Sequence, residues 1–197
     1  MWEERFATPE YVFGKHPARF LTEHAALLTP GATALSVADG EGRNSVYLAQ
    51  QGMDVTALEF SPSAIAKART LAAERGVSVT FQQQDVLSHD WPTPYDLVAG
   101  IFIQFVGPQD RKRLFDGMKQ SVRPGGLILL HGYTPDQIAL GTGGPPFVEN
   151  MYTDEILRAA FVGWDILECR SYTREVQEGR GHSGQSALLD FVARKPA

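Results

Sequence analysis

The chain has 197 residues, a length that suits one domain built around a single hydrophobic core. Apolar side chains make up 43% of the sequence and charged ones 21%, which is typical of a globular protein and not of a disordered or fibrous one. The net charge is −5, so no long-range positive field favours a nucleic acid as partner. We therefore expect a single globular domain over residues 1–197 that binds no nucleic acid.

Membrane, disulfide and metal sites are not expected. No stretch approaches the ~20 consecutive apolar residues that span a bilayer, and the first residues lack the order of a signal peptide. The one cysteine, Cys169, cannot form an internal disulfide, and the five histidines show no metal-ligand spacing. These features predict a cytoplasmic protein without a membrane partner or a metal, and they leave the oligomeric state open.

The first 30 residues are rich in aromatic side chains and contain one short helical stretch, residues 18–28, so they predict an arm rather than a domain. After the arm, short apolar runs alternate with helical patterns, which indicates a parallel α/β fold. The predicted strands cover residues 34–38, 55–60, 77–82, 97–102 and 127–130, and the predicted helices cover 44–51, 63–75 and 109–122.

The pattern changes after residue 131. A Gly/Pro loop over residues 141–146 precedes a helix that Thr153 caps, and two strand-like runs, 164–176 and 187–194, follow. The ten residues between these runs are too few for a parallel crossover, which needs a dozen or more. We therefore predict that the last two strands pair antiparallel.

A glycine-rich turn, Ala38-Asp39-Gly40-Glu41-Gly42, joins the first predicted strand to its helix. Glycine suits such a turn because the backbone angles are unusual and a ligand can approach the main chain closely. Glu59 follows Gly40 by nineteen residues, at the end of the second strand. A carboxylate placed there can accept the ribose hydroxyls of a nucleoside, so the pair of features predicts a nucleoside-cofactor site.

The details of the turn decide between cofactors. A dinucleotide fingerprint needs a third glycine three positions past Gly42, where this chain has Ser45, and Glu41 is unfavourable beside a pyrophosphate. An NAD enzyme also normally needs a second domain for its substrate. S-adenosylmethionine has no phosphate and fits these residues, whereas an NAD-dependent reductase is the less favoured alternative.

Several further motifs accompany the turn: Trp2-Glu-Glu-Arg-Phe and Glu10-Tyr-Val-Phe-Gly14 in the arm, Ala38 to Asn44, Asp85, Arg123-Pro-Gly-Gly126, and Gly141-Thr-Gly-Gly-Pro-Pro146. With them, nearly the whole chain resembles the class I S-adenosylmethionine-dependent methyltransferases. The arm and the late Thr-Gly-Gly-Pro resemble most the small bacterial branch of tellurite-resistance methyltransferases and relatives of thiopurine methyltransferase. The glycine turn and the Pro-Gly-Gly turn are generic to the superfamily.

The resemblance implies a Rossmann-like fold: a doubly wound, seven-stranded, mostly parallel sheet with an antiparallel C-terminal hairpin. It divides the chain into an arm that acts as a lid (1–30), a cofactor-binding half (31–135), and a substrate-side loop, helix and hairpin (136–197). One departure concerns the turn. This chain has Ser36 where the family often has an acid and Ala38 where it usually has glycine, and the lost acid bears on how the methionine ammonium is held.

The resemblance also implies roles for individual residues. The backbone at Ala38, Gly40 and Gly42 would lie against the methionine end of the cofactor, and Glu59 would bind the ribose. Phe60 would stack on the adenine, while Asp85 and the Val86 amide would bond to it. Trp2 and Tyr11 would belong to the lid. Ile101 and Phe102, at the end of the fourth strand, would line the pocket near the transferred methyl.

Three residues are candidates for a catalytic role. Gln104 is the only polar side chain in the run 100–105, and His131 and His182 are possible bases with ordinary pKa values near 6.5. A soft nucleophile such as a thiolate, a selenide or a reduced tellurium oxyanion needs no strong base. An oxygen or nitrogen nucleophile would recruit His131 or His182, and activity would then change with pH near neutrality.

The sequence thus favours an S-adenosylmethionine-dependent methyltransferase that acts on a small molecule, for which thiols and metalloid or chalcogen species are candidates. A non-catalytic S-adenosylmethionine-binding protein is the alternative that Ser36 and the lack of an evident base suggest. The sequence does not identify the methyl acceptor.

Overall fold

The computed structural model describes residues 2–91, 94–179 and 182–197, which form one seven-stranded sheet with helices packed around it. The strands are β1 Thr33–Val37, β2 Asp54–Glu59, β3 Thr80–Gln83, β4 Tyr95–Ile101, β5 Val122–Tyr133, β6 Asp165–Glu178 and β7 His182–Arg194. The α-helices of the described residues are α1 Trp2–Phe6, α2 Arg19–Glu23, α3 Arg43–Gln50, α4 Pro62–Glu74, α5 Pro108–Gln120, α6 Gln137–Leu140 and α7 Asp154–Ala160. Single 3-10 turns lie at Ala25–Leu27 and Val148–Asn150.

The strand order is β3-β2-β1-β4-β5-β7-β6. The first five strands are parallel, and β7 pairs antiparallel with both β5 and β6. This arrangement confirms the predicted doubly wound sheet with its antiparallel hairpin. The chain winds outward from β1 in both directions, so a crevice opens at the carboxyl ends of β1 and β4, where ligands bind in sheets of this kind.

Alternating strand residues feed two hydrophobic clusters, one on each face of the sheet. Ala34, Leu97 and Leu129 pack with Phe20 of α2 and Leu48 of α3. The neighbouring residues in the same strands, including Leu35, Val98 and Leu130, pack with side chains of α5 and α7. Because successive side chains point to opposite faces, a strand covered by helices on both faces is apolar throughout. That burial explains the continuous apolar runs of the sequence.

Several predicted elements differ in extent from the structure, three of them before the C-terminal hairpin by more than two residues. The helical stretch 18–28 is divided into α2 and a 3-10 turn, and the strand predicted at 77–82 begins only at Thr80. The strand predicted at 127–130 runs over Val122–Tyr133, because the Pro-Gly-Gly segment stays in the sheet. There Gly125 and Gly126 exchange backbone hydrogen bonds with Lys195, beyond the end of β7.

The C-terminal hairpin is longer than predicted. Pairing of β6 with β7 continues to Glu178 opposite His182, so most of the predicted ten-residue connection is strand; residues 180 and 181 of it, like Met1 of the arm, lie outside the described part of the chain. His182 is therefore the first residue of β7 and not a loop residue. The extension carries this side chain over the carboxyl ends of the parallel strands.

Within the described residues, no helix has the length and hydrophobicity needed to cross a membrane.

Candidate functional site

A cavity of about 570 Å³ opens at the carboxyl ends of the parallel strands, within the size range of small-molecule sites. Its walls come from the β1–α3 turn, the ends of β2, β4 and β5, the arm, the loop 142–147 and His182. The lining residues run from Trp2 in the arm to His182 in the hairpin, so the cavity forms only when the whole chain has folded.

The β1–α3 turn is left-handed at Ala38 (φ +49°), Gly40 (φ +64°) and Gly42 (φ +88°). Ala38 and Gly40 line the cavity. Gly42 lies outside the lining and serves helix packing instead, because a Cβ there would come within 2.6 Å of the Ala68 Cβ of α4. The prediction that Gly42 lies beside the cofactor therefore does not fit the geometry.

Asp39 is a buried carboxylate in the cavity wall. Its oxygens accept hydrogen bonds from the Ser36 hydroxyl (2.6 Å), the Ser45 hydroxyl (2.5 Å) and the Ser45 amide (3.2 Å). Burial raises the pKa of Asp39 to about 6, the serine hydrogen bonds oppose the rise, and the charge of Glu59 adds to it. The carboxylate that the family often has at position 36 thus has a counterpart three residues later.

Glu59 is buried at the end of β2 and faces the cavity. One oxygen accepts from the Gly40 amide and the other from the Ser61 amide, each at 2.8 Å. Burial raises the pKa of Glu59, and those backbone hydrogen bonds counteract the rise. A carboxylate oxygen can accept more than one hydrogen bond, so Glu59 can hold the turn and still accept from two hydroxyls of a ligand.

The wall beyond Glu59 contains Phe60, Asp85 and Val86. Phe60 is 59% exposed, so part of its side chain is accessible to a ligand. Asp85 is exposed and accepts the Leu87 amide at 2.9 Å, while Val86 is buried. The three residues to which the resemblance assigns the adenine thus line the same cavity.

The arm covers this end of the cavity through α1. Glu3 accepts hydrogen bonds from the hydroxyls of Ser61 and Ser63 at the start of α4, and these bonds lower the pKa of its carboxyl. Trp2 stacks on Phe6 with ring centroids 5.6 Å apart, and both rings line the cavity. The predicted lid position of Trp2 agrees with this geometry.

A second anchor holds the arm at the glycine turn. Glu41, 2% exposed, accepts the amides of Val12 (2.8 Å) and Phe13 (3.3 Å) and pairs with Lys67 at 2.7 Å. Tyr11 lies outside the cavity, with its hydroxyl on the Lys67 carbonyl. Tyr11 therefore packs on α4 and does not touch the cavity, contrary to its predicted role in the lid.

Two more residues of the turn bind the arm. The Asn44 side chain accepts the Ala18 amide at 2.9 Å, and Arg43 donates to the His16 carbonyl and pairs with Glu178 of β6 at 2.8 Å. The turn consequently connects the arm, the sheet and the hairpin around the cavity.

His182 forms a further part of the cavity wall. Its ring is stacked between Phe13 of the arm (4.5 Å) and Phe102 (4.1 Å), and Nδ1 lies 2.6 Å from the Tyr133 hydroxyl. Burial, together with the positive charge of Arg43, holds the pKa of His182 well below its ordinary value, and burial raises the pKa of Tyr133 to about 12. Both groups are therefore neutral at pH 7.

The other two catalytic candidates have structural partners. Gln104 lines the cavity, but its amide donates to the Tyr133 carbonyl (2.8 Å) and accepts the Tyr133 amide (2.7 Å), which occupies both ends of the side chain. His131 lies outside the cavity lining, buried against Phe20, with Nδ1 2.7 Å from Asp190. The geometry gives neither residue a reactive role.

Most of the predicted site residues come together in one cavity: Trp2, Ala38, Gly40, Glu59, Phe60, Asp85, Val86, Ile101, Gln104 and His182. Phe13, an aromatic of the predicted lid, also lines it. Sequence reasoning missed Arg5, Asp39, Arg43, Asn44, Tyr133 and Asn150, which line it as well. Asp39 stands inside the glycine motif, so its position was a usable signal. Tyr133 reaches the cavity only through packing of β5, which no local pattern reports.

The described residues contain no group of three or more His, Cys, Asp or Glu side chains placed to hold a metal ion.

Comparison with known sequences gives one family. Residues 34–126, just under half of the chain, match the family model described as a methyltransferase domain. Similar curated proteins include Hemagglutinin 1 of Eikenella corrodens, 24% identical over 95% of this chain and 63% of that protein. A ubiquinone biosynthesis O-methyltransferase of Photorhabdus laumondii is 35% identical over 50% of this chain and 41% of that protein. The chain thus spans less than two thirds of the length of either relative.

Solved structures share the fold. A structure concerned with the conversion of a disulfide bond into a thioacetal group during echinomycin biosynthesis has a TM-score of 0.75, with 21% identity over 96% of this chain and 85% of the other. TehB from Haemophilus influenzae has a TM-score of 0.73, with 19% identity over 98% of this chain and 65% of the other. The N-methyltransferase NodS from Bradyrhizobium japonicum, in complex with S-adenosyl-L-homocysteine, has a TM-score of 0.73. Its identity is 15% over 100% of this chain and 97% of the other. At these identities the similarity shows that the fold is shared.

Proposed function

We propose that this protein is an S-adenosylmethionine-dependent methyltransferase that acts on a small molecule with an acidic or soft nucleophile. The observation that carries the proposal is Glu59, a buried carboxylate that faces the cavity beside the Gly40 turn, at the point where the strand order reverses. Exposed Phe60 and Asp85 continue the wall on one side of Glu59, as an adenosine would require.

The charge of this wall separates the candidate cofactors. Asp39, Glu59 and Asp85 line the cavity, and none of the three forms a salt bridge with another described residue. Uncompensated carboxylates repel the pyrophosphate of a dinucleotide, whereas they attract the sulfonium and ammonium groups of S-adenosylmethionine. The residues therefore fit S-adenosylmethionine and oppose the reductase alternative.

When bound, S-adenosylmethionine supplies an activated methyl group, so the protein mainly orients the acceptor. Phe13, Phe102 and Tyr133 give the acceptor end flat apolar walls, which exclude water and fix the acceptor for in-line attack. An acceptor that enters as a neutral acid would have to give up its proton on transfer. The neutral His182–Tyr133 pair lies in the cavity wall, where His182 could accept this proton.

The acceptor end favours a nucleophile that is easily deprotonated. Arg5 and Arg43 line the cavity among the described residues, and Arg43 is paired with Glu178. Arg5 therefore adds positive charge to the lining, which favours an anionic or neutral acceptor over an ammonium ion. A histidine whose pKa is low is a weak base, so it suits thiols, selenols and acidic phenols better than amines. Two similar proteins support a small-molecule acceptor, since one belongs to ubiquinone biosynthesis and another to echinomycin biosynthesis.

Binding measurements test the cofactor. We expect S-adenosylmethionine and S-adenosylhomocysteine to bind in calorimetric titrations, NAD not to bind, and the Glu59→Gln variant to bind the adenosyl ligands on the order of tenfold or more weakly. The Glu74→Gln variant, an exposed acid on α4, is the matched control. Binding of NAD without the adenosyl ligands would contradict the proposal.

Turnover measurements test the acceptor end. With phenol acceptors we expect His182→Gln to lower kcat by about 10²-fold, since a positioned base contributes that much, while thiolate acceptors lose little. Replacing His182 should leave the pH profile near 6.5 unchanged, because the pKa of His182 lies well below that value. The Lys112→Gln variant, on an exposed face of α5, should behave as wild type. An equal loss with phenols and thiolates would show that His182 only shapes the pocket.

A further inference from the structure

Asp39 is a buried carboxylate that no cationic side chain of the described residues neutralises. It is 7% exposed and forms part of the cavity wall. Among the described residues its hydrogen-bond donors are two serine hydroxyls and one backbone amide, and no Lys, Arg or His pairs with it. The nearby Glu59 adds a second negative charge. A buried carboxylate of this kind is costly unless a cation compensates it, and a bound ligand can supply that cation.

The topology places Asp39 beside the methionine part of the cofactor. Along the carboxyl edge of the sheet the order is Asp85 after β3, Glu59 on β2, Asp39 after β1, and Ile101 on β4. Neighbouring strands are about 4.8 Å apart. With the ribose at Glu59 and the adenine toward β3, the group attached to the ribose 5′ carbon extends over β1 and β4. Its ammonium group then lies within reach of the β1 turn.

We propose that Asp39 binds the ammonium group of the methionine moiety, with Ser36 as the residue that positions its carboxylate. This inference rests on the proposed function, because it requires an adenosyl cofactor in the cavity. The Ser36 hydroxyl donates a 2.6 Å hydrogen bond to Asp39. The carboxylate of Asp39 therefore lies beside the side chain of position 36, where the family often has its acid. The departure at Ser36 consequently does not remove the ammonium site.

Two ligands isolate this contact. S-Adenosylhomocysteine carries the ammonium and carboxylate groups, and 5′-methylthioadenosine has the same adenosine and thioether sulfur without them. In calorimetric titrations at pH 8 we expect Asp39→Asn to weaken S-adenosylhomocysteine about tenfold to hundredfold, as loss of a charge-assisted contact does. Binding of 5′-methylthioadenosine should change by less than about twofold. Asp90→Asn, an exposed acid outside the cavity lining, is the matched control.

The outcomes are distinguishable. If both ligands weaken equally in Asp39→Asn, or neither does, Asp39 does not bind the ammonium, although the methyltransferase proposal survives. If wild-type protein binds neither ligand, the proposed function itself fails and this inference with it. The Ser36→Asp/Asp39→Ser double variant exchanges the acid and its hydroxyl partner. We expect it to recover most of the affinity for S-adenosylhomocysteine, and failure to recover in a folded variant would contradict the shared position of the charge.

Discussion

Positive φ angles in the glycine turn have different causes at neighbouring residues. Gly42 must lack a Cβ because α4 packs against it, with the Ala68 Cβ only 2.6 Å from where its Cβ would be. Ala38 has a side chain and still adopts φ +49°. An L-residue in this region costs roughly 1–2 kcal/mol, so the turn keeps some strain next to the cofactor site. Gly42 thus serves helix packing, whereas Ala38, in the same turn, lines the cavity.

Gly42→Ala should destabilise the protein by about 2–4 kcal/mol, because left-handed strain and overpacking both contribute. Gly31→Ala is the matched control: Gly31 has φ +82° but no atom near its missing Cβ, so only the strain, about 1–2 kcal/mol, applies. Urea unfolding of both variants measures the difference. Equal losses would show that the α3–α4 contact is not tight.

Asp39 should make stability depend on pH. Burial raises the pKa of Asp39 to about 6, against an ordinary value of 3.8. The folded state therefore holds this proton more tightly than the unfolded state, so the contribution of Asp39 to stability decreases as pH rises from 4 to 6 and is then constant. The groups that face Asp39 are Glu59 of β2, Ser36 of β1 and Ser45 of α3.

Asp39→Asn should remove this penalty. At pH 8 and without ligand, we expect the variant to be more stable than wild type by up to about 3 kcal/mol, the equivalent of two pKa units, and the gain should shrink toward pH 4. Urea unfolding at both pH values measures it. A variant that is less stable at pH 8 would mean that the serine hydrogen bonds outweigh the cost of burying the charge.

At the scale of elements, the arm is held at two places. Glu3 bonds to the start of α4, and Glu41, Asn44 and Arg43 bond to backbone groups between residues 12 and 18. Both anchors lie beside the cofactor end of the cavity. The residues Trp2, Phe6 and Phe13 between and around the anchors are cavity walls. The arm therefore forms part of the cavity wall, and loosening it should speed ligand exchange.

Glu41→Gln should loosen the arm, because it removes the buried charge that holds Lys67 and two arm amides. We expect tryptic cleavage after Lys15 and dissociation of S-adenosylhomocysteine to accelerate on the order of tenfold. Glu74→Gln is the control, since Glu74 also pairs with the arm, at Lys15, but through an exposed salt bridge of little value. Similar rates in the two variants would contradict an anchoring role for Glu41.

At the scale of the whole molecule, the cavity joins segments from the arm, the central sheet and the C-terminal hairpin. Arg43 connects two of these segments directly, because it donates to the His16 carbonyl in the arm and pairs with Glu178 in the hairpin. A ligand that contacts all three segments should stabilise them together.

Saturating S-adenosylhomocysteine should therefore raise the stability of the entire fold. At a ligand concentration a hundredfold above Kd the gain is about 2.7 kcal/mol, or roughly 5–10 °C in Tm for a chain of this size. Calorimetric melting measures it, with NAD at equal concentration as the control that leaves Tm unchanged. A shift with NAD, or none with S-adenosylhomocysteine, would count against the cofactor assignment.

The sequence determined the order and type of the main elements, and it placed the glycine turn and Glu59 at the ends of β1 and β2. These features depend on local causes: apolar periodicity, a glycine turn, and one acid at the end of β2, whose position follows from the strand it ends. The antiparallel hairpin was likewise predictable because its connection is short.

Only the tertiary structure decided which polar residues serve the cavity. His131 and Gln104 are as polar as His182 in the sequence, but β5 and β7 bury the first against Asp190 and bind the second to Tyr133. His182 reaches the cavity because it is the first residue of β7, in the part of the hairpin that extends over the carboxyl ends of the parallel strands. Tyr11 was predicted to belong to the lid, but its hydroxyl bonds to the Lys67 carbonyl outside the cavity. Such assignments depend on contacts between residues distant in the chain, and no local pattern encodes which partner a polar side chain meets.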